Sequence, residues 1–167
     1  IFEAIPDKFK TYNPDDYSFE YIKIANSVSD DSPTVVDIFD PGCSVCMMSY
    51  RNQKDADFFN GRVVQMVPFA IQDADDSYKF PNSEIVVRYM FAAEDVRPGS
   101  AVTIIDKIFT EKNSEGIPYQ NKFNEDYTTE EATKKMETWL KDDGLSDNEI
   151  KTVREKAQSS EVTEKMN

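Results

Sequence analysis

The sequence predicts an α/β fold, a strand-helix-strand core followed by an all-helical subdomain, and three observations carry that prediction. Thr34 to Phe39 (TVVDIF) is a short, β-branched and aromatic run closed by Asp40-Pro41-Gly42, the pattern of a strand running into a turn. Arg62 to Phe69 (RVVQMVPF) repeats that character, with a helical stretch between the two. Two strands joined through a helix pair in parallel, with a right-handed crossover. Past Pro81 the strand signal disappears and helical spacing takes over. The division is therefore residues 1–82, an N-terminal arm and the strand-helix-strand half, and residues 83–167, a helical subdomain. A chain of 167 residues is long enough to bury a real core.

Each element has its own justification. Ile1 to Asn13 places Phe2, Ile5, Phe9 and Tyr12 at three- and four-residue steps, which fits a short helix or an arm laid over the domain. Asn13-Pro14-Asp15-Asp16 is a helix start, and Tyr17, Tyr21, Ile24 and Val28 space as the stripe of a helix of about three turns. A helix runs from Cys43 through Met47, Met48, Tyr50 and Ala56 to Phe58-Phe59, where Asn60-Gly61 stops it. Ile71 to Pro81 is a polar loop. Ser83 begins the next helix with Glu84 in its first turn, faced by Val86, Val87, Met90, Phe91 and Ala93; Arg97-Pro98-Gly99-Ser100 ends it, and Val102, Ile105, Ile108 and Phe109 stripe the following one. Asn113 to Asp126 reads as loop. Thr128 or Thr129 caps a helix whose inward face is Ala132, Met136, Trp139 and Leu140. Ser146 with Glu149 is a capping box for a helix with Ile150, Val153 and Ala157 inward, and Ser159-Ser160-Glu161 opens one more.

Chemistry concentrates in Cys43-Ser44-Val45-Cys46, the only cysteines in the chain. The spacing brings both sulfurs together within one helical turn, at a helix N-terminus where unpaired N–H groups and the helix dipole stabilise a thiolate. Cys43 is placed to be the exposed nucleophile and Cys46, one turn in, the resolving thiol. The plain alternative is a structural disulfide or two inert thiols; a bridge closing so short a loop adds little stability, and a strand-to-helix joint is where a redox pair belongs. Ser44-Val45 supplies no histidine or lysine to hold Cys43 as an anion, which leaves backbone donors and the dipole. Met47, Met48, Phe39 and Tyr50 beside the pair suit either an apolar patch for unfolded clients or simple core packing.

Strand, turn, Cys-x-x-Cys at the head of a helix and an acid, Asp37, six positions before the first cysteine together resemble the thioredoxin superfamily. The long helical stretch after the second strand resembles the DsbA-type thiol:disulfide oxidoreductases in particular. The resemblance implies that Asp37 is a buried carboxylate beneath the pair that exchanges a proton with Cys46; read as a strand residue alone, Asp37 belongs to a polar face. It further implies disulfide exchange with cysteine-containing protein clients, an extracytoplasmic location, secreted or tethered, and a membrane partner that recycles the pair. A cis-proline loop, a hairpin and a final helix complete such a fold, and none follows Asn167, so the expectation is a truncated chain; Pro118 in Gly116-Ile117-Pro118 reads as a loop proline because the residues after it carry no hairpin signal. The absence of a starting Met and of a leader gives the expectation that a signal or anchor segment has been removed.

Composition narrows the remaining classes. A net charge of −13 argues against a basic nucleic-acid face and against anionic lipid. With no histidine, a Ser-His or Cys-His hydrolase has no imidazole base, and two thiols make half of a soft metal site, so neither metal nor cofactor is expected. No run reaches the roughly 18 apolar residues of a membrane span. Two other classes stay open: a non-catalytic binding or chaperone module with a structural disulfide, and a copper or cytochrome maturation factor using the cysteines as ligands or as a dedicated reductant.

Overall fold

The computed structural model describes residues 20–166 of the chain, and their order is β1 (Ile22–Ala25), β2 (Thr34–Phe39), α1 (Ser44–Asp55), β3 (Val63–Pro68), α2 (Ser83–Val96), α3 (Ser100–Thr110), α4 (Tyr119–Glu125), α5 (Thr129–Asp142), α6 (Asp147–Ala157) and α7 (Ser160–Lys165). The fold is α/β. β2, α1 and β3 form the expected unit, with β2 and β3 parallel and Asp37 opposite Met66.

The mixed sheet has the order β1-β3-β2, with β1 antiparallel to β3 and Ile22 opposite Met66. Residues 22–25 are thus a strand and not part of a helix. Ile22 and Ile24 alternate inward while Lys23 and Ala25 face out, and the free edge of β3 captures that two-residue period over the three-and-four spacing of Tyr21, Ile24 and Val28. Tyr21 and Val28, expected on the apolar stripe, are exposed. Phe2, Ile5, Phe9, Tyr12 and Tyr17 lie outside the described residues.

One sheet face, carrying Ile22, Ile24, Phe39, Val64 and Met66, is buried beneath α1 and α3. Phe39 and Tyr50 both meet the Phe109 ring, at 5.6 and 5.5 Å between centroids. The opposite face is not covered by the helices of the described residues: Val36 and Ile38 are exposed there.

α1 ends at Asp55, a turn earlier than the apolar pattern suggests. Asp57 takes a positive φ of 53°, and Phe58 N–H reaches back to the Gln53 carbonyl while Asp57 N–H reaches Lys54, which closes the helix before Phe58 and Phe59. The helical layer follows the sequence closely. Thr128 and Ser146 cap α5 and α6 through capping boxes, and Ala132, Met136, Trp139, Leu140, Ile150, Val153 and Ala157 are all buried. In α3 the buried stripe runs through Ala101 and Ile104 as well as Ile105, Ile108 and Phe109.

The segment expected to be loop from Asn113 to Asp126 contains α4. Its seven residues are too few to form a helix on propensity alone. Docking supplies the stability: Phe123 stacks on Trp139 at 5.6 Å, and Tyr119 meets the same indole edge-on at 5.1 Å. Pro118 precedes the first residue of α4 as its cap, in keeping with a loop proline. Among the described residues no helix is long and apolar enough to cross a membrane.

Candidate functional site

The site forms where β2 runs into α1. Asp40-Pro41-Gly42 turns the chain, the Cys43 N–H donates to the Asp40 carbonyl at 3.0 Å, and α1 begins at Ser44 with Cys43 as its N-cap. Cys43 has extended backbone (φ −79°, ψ 118°), and its Sγ accepts the N–H of Cys46 at 3.5 Å. A sulfur therefore occupies the capping position that Ser or Asp fills in other helices, and the capping donor belongs to the second cysteine. Both thiols are free and half-buried.

The Cys46 thiol is perturbed by its surroundings. Burial pushes the Cys46 thiol up to about 11; the Asp40 backbone N–H opposes that rise, while the neighbouring Cys43 sulfur and the Asp40 charge reinforce it. Cys46 therefore stays protonated at neutral pH, as suits a thiol that acts second.

Asp37, the acid picked out from the sequence, lies on the sheet face that α1 covers, half-buried between Val35 and Phe39 in the alternation of β2. Its Oδ2 accepts from Gln53 Nε2 at 3.2 Å, and Gln53 stands two turns along α1 from Cys46.

A second carboxylate, Asp40, is fully buried, and its charge contributes to the rise at Cys46. Its Oδ1 accepts the Gly42 N–H at 2.7 Å and the Ser83 hydroxyl, and its Oδ2 accepts the Ile71 N–H at 2.6 Å. It thus ties the thiol loop to the end of β3 and the start of α2. Asp-Pro-Gly is a sequence signal for the first of these bonds, because an Asp side chain readily accepts from the N–H two residues on. Nothing local signals the other two.

The second contribution missing from the sequence reading comes from α4. Gln120 Nε2 and Asn124 Nδ2, one turn apart, both donate to the Gly42 carbonyl, the latter at 2.7 Å. Gly42 itself is buried at a close approach: a Cβ there would overlap Phe80 Cβ and Cγ and stand 2.8 Å from Ser83 Oγ.

Of the residues considered for an apolar patch, Phe39, Met47 and Tyr50 are core, whereas Met48 is 58% exposed. Val45, between the cysteines, is 70% exposed, and Ile38 is 55% exposed. The pair is thus a closely spaced Cys-x-x-Cys on an α/β scaffold, with apolar side chains exposed on the same strand-helix unit. In comparisons with protein-family models, with curated proteins and with solved structures, nothing matches this chain.

Proposed function

We propose that the protein is a thiol:disulfide oxidoreductase acting on protein clients through Cys43 and Cys46. The observation that carries this reading is the capping geometry: the first sulfur takes the N–H of the second cysteine at the head of α1. The burial that raises the Cys46 thiol supports a resolving role for it.

In the reducing direction the Cys43 thiolate attacks one sulfur of a client disulfide, that S–S bond breaks, and the displaced client thiolate takes up a proton from solvent. Cys46 then attacks Cys43 Sγ, the S–S bond between Cys43 and the client breaks, and the proton of Cys46 passes to the departing client sulfur. The second client thiol leaves, and two electrons have passed from the Cys43–Cys46 pair to the client. The oxidising direction is the same sequence reversed. The resemblance to the DsbA-type proteins adds an extracytoplasmic, oxidising setting and a membrane partner that resets the pair.

The test is equilibration of the protein with glutathione buffers, followed by mass-resolved thiol trapping. A potential above about −200 mV identifies an oxidant, and one near −270 mV or below a reductant. A pair that neither forms nor opens under glutathione or dithiothreitol overturns the reading.

A further inference from the structure

We infer that Gln120 and Asn124 are positioning residues for Cys43: from α4 they hold the peptide that leads into the first cysteine, and so set how its sulfur sits on the end of α1. The inference rests on the disulfide-exchange reading for its functional meaning. Its geometry stands apart from it.

The Gly42–Cys43 peptide is bonded on both edges. Its carbonyl accepts from Gln120 and Asn124, and its N–H donates to the Asp40 carbonyl. The preceding peptide is held as well, through the Gly42 N–H on the Asp40 carboxylate. Two amide donors on one buried carbonyl exceed what satisfying it requires, since a single bond already removes most of the cost of burying it. The excess fixes direction. With the plane held, the extended backbone of Cys43 and the approach of its Sγ to the Cys46 N–H follow.

α4 is in turn tied to the same loop by a second route. Asn82 Nδ2 donates to the Phe123 carbonyl at 2.7 Å and to the Tyr127 carbonyl at 2.9 Å, anchoring the C-terminal end of α4. Its neighbour Ser83 donates to Asp40. The links close a ring, from Gly42 to Asp40, through Ser83 and Asn82 to α4, and back through Gln120 and Asn124 to Gly42. A short helix that is buried on one face and held at both ends transmits its position to the thiol loop rather than yielding to it. A purely structural clasp would satisfy Gly42 and leave the sulfur chemistry unchanged, and the two are separable by experiment.

The experiment is the rate of iodoacetamide modification of each cysteine, resolved by peptide mass across a pH series, in the intact chain and in a Gln120→Met/Asn124→Leu variant. Loss of both donors lets the Gly42–Cys43 plane turn and takes Cys43 Sγ off the Cys46 N–H, so Cys43 modification at pH 7 is expected to fall about three- to tenfold, with its profile moved to higher pH. Asn124→Leu alone retains Gln120 and is expected to give a smaller fall in the same direction; it supplies the result if the double variant does not fold. Unchanged Cys43 profiles in folded variants overturn the inference. Because alkylation does not depend on disulfide exchange, that outcome is distinct from failure of the glutathione equilibration in the parent chain, which overturns the functional reading alone.

Discussion

Asp40 and Ser83, 43 residues apart, share a hydrogen bond inside the protein, from the Ser83 hydroxyl to a carboxylate that also holds the Gly42 and Ile71 N–H groups. Asp40→Ala would orphan three donors at once, two of them buried and the Ile71 N–H half-buried, and is expected to cost about 3 kcal/mol of unfolding free energy in urea titration. Ser83→Ala removes one donor while Asp40 keeps two, so about 1 kcal/mol is expected. The two changes should be non-additive in a double-mutant cycle, the double variant costing less than the sum.

Gly42 is set by a close approach, which makes a rescue test possible. Gly42→Ala places a methyl against Phe80 and Ser83 and is expected to destabilise by about 1–3 kcal/mol. In a Phe80→Gly background both Phe80 atoms that the methyl would overlap are gone and only the Ser83 hydroxyl stays close, so the further cost of Gly42→Ala should shrink to about 1 kcal/mol or less. An undiminished penalty would mean that the glycine is needed for its backbone and not for the space.

The raised Cys46 thiol makes stability depend on alkaline pH, and the sign can be worked out. Its folded value, about 11, lies above the ordinary 9.0. The unfolded chain therefore releases the proton first, and between those values the folded state binds more protons. The contribution is whole below pH 9 and is lost as pH rises toward 11. Urea midpoints measured with reduced thiols should fall across that window, and Cys46→Ala should flatten the fall. Burial also raises the Tyr50 and Tyr89 hydroxyls, each beside a carboxylate, and extends the same trend to more alkaline pH.

Trp139 is the single tryptophan of the chain and packs against both aromatic residues of α4. Asn82→Ala removes the two bonds that anchor the end of that helix and is expected to cost about 1–3 kcal/mol. It should also shift Trp139 emission to the red under native conditions as α4 loosens. An emission spectrum unchanged from the parent would show that α4 stays seated without Asn82.

How much of this was legible in the sequence depends on how far each decision reaches along the chain. The inward faces of α5 and α6 could be read residue by residue, because caps and periodicity are local and Ser146 and Glu149 lie within one turn of each other. β2 and β3 declared themselves through Val35, Val36, Val63 and Val64 for the same reason. β1 did not, since Tyr21, Ile22, Ile24 and Val28 satisfy two periods at once and only pairing with β3 decides between them. α4 was hidden because its stability resides in Trp139 and Asn82, outside its own seven residues. At the site, Cys43 and Cys46 carried their own signal. Asp37 was placed by resemblance, whereas Gln120 and Asn124, and Asp40 beyond its local bond to the Gly42 N–H, acquire a role through partners 31 to 82 residues distant.

That distance gives the clasp on Gly42 a consequence in time. Asn124 follows Gly42 by 82 residues, so on a ribosome adding about 5–20 residues per second the cysteines precede its synthesis by roughly 4–16 s. During that interval the nascent loop carries two thiols without the amides that later grip it. The mature arrangement at Cys43 is therefore acquired only after α4 has been made, later than the strand-helix-strand half, and a pulse of alkylating agent on stalled chains of increasing length would register its arrival once α4 can dock.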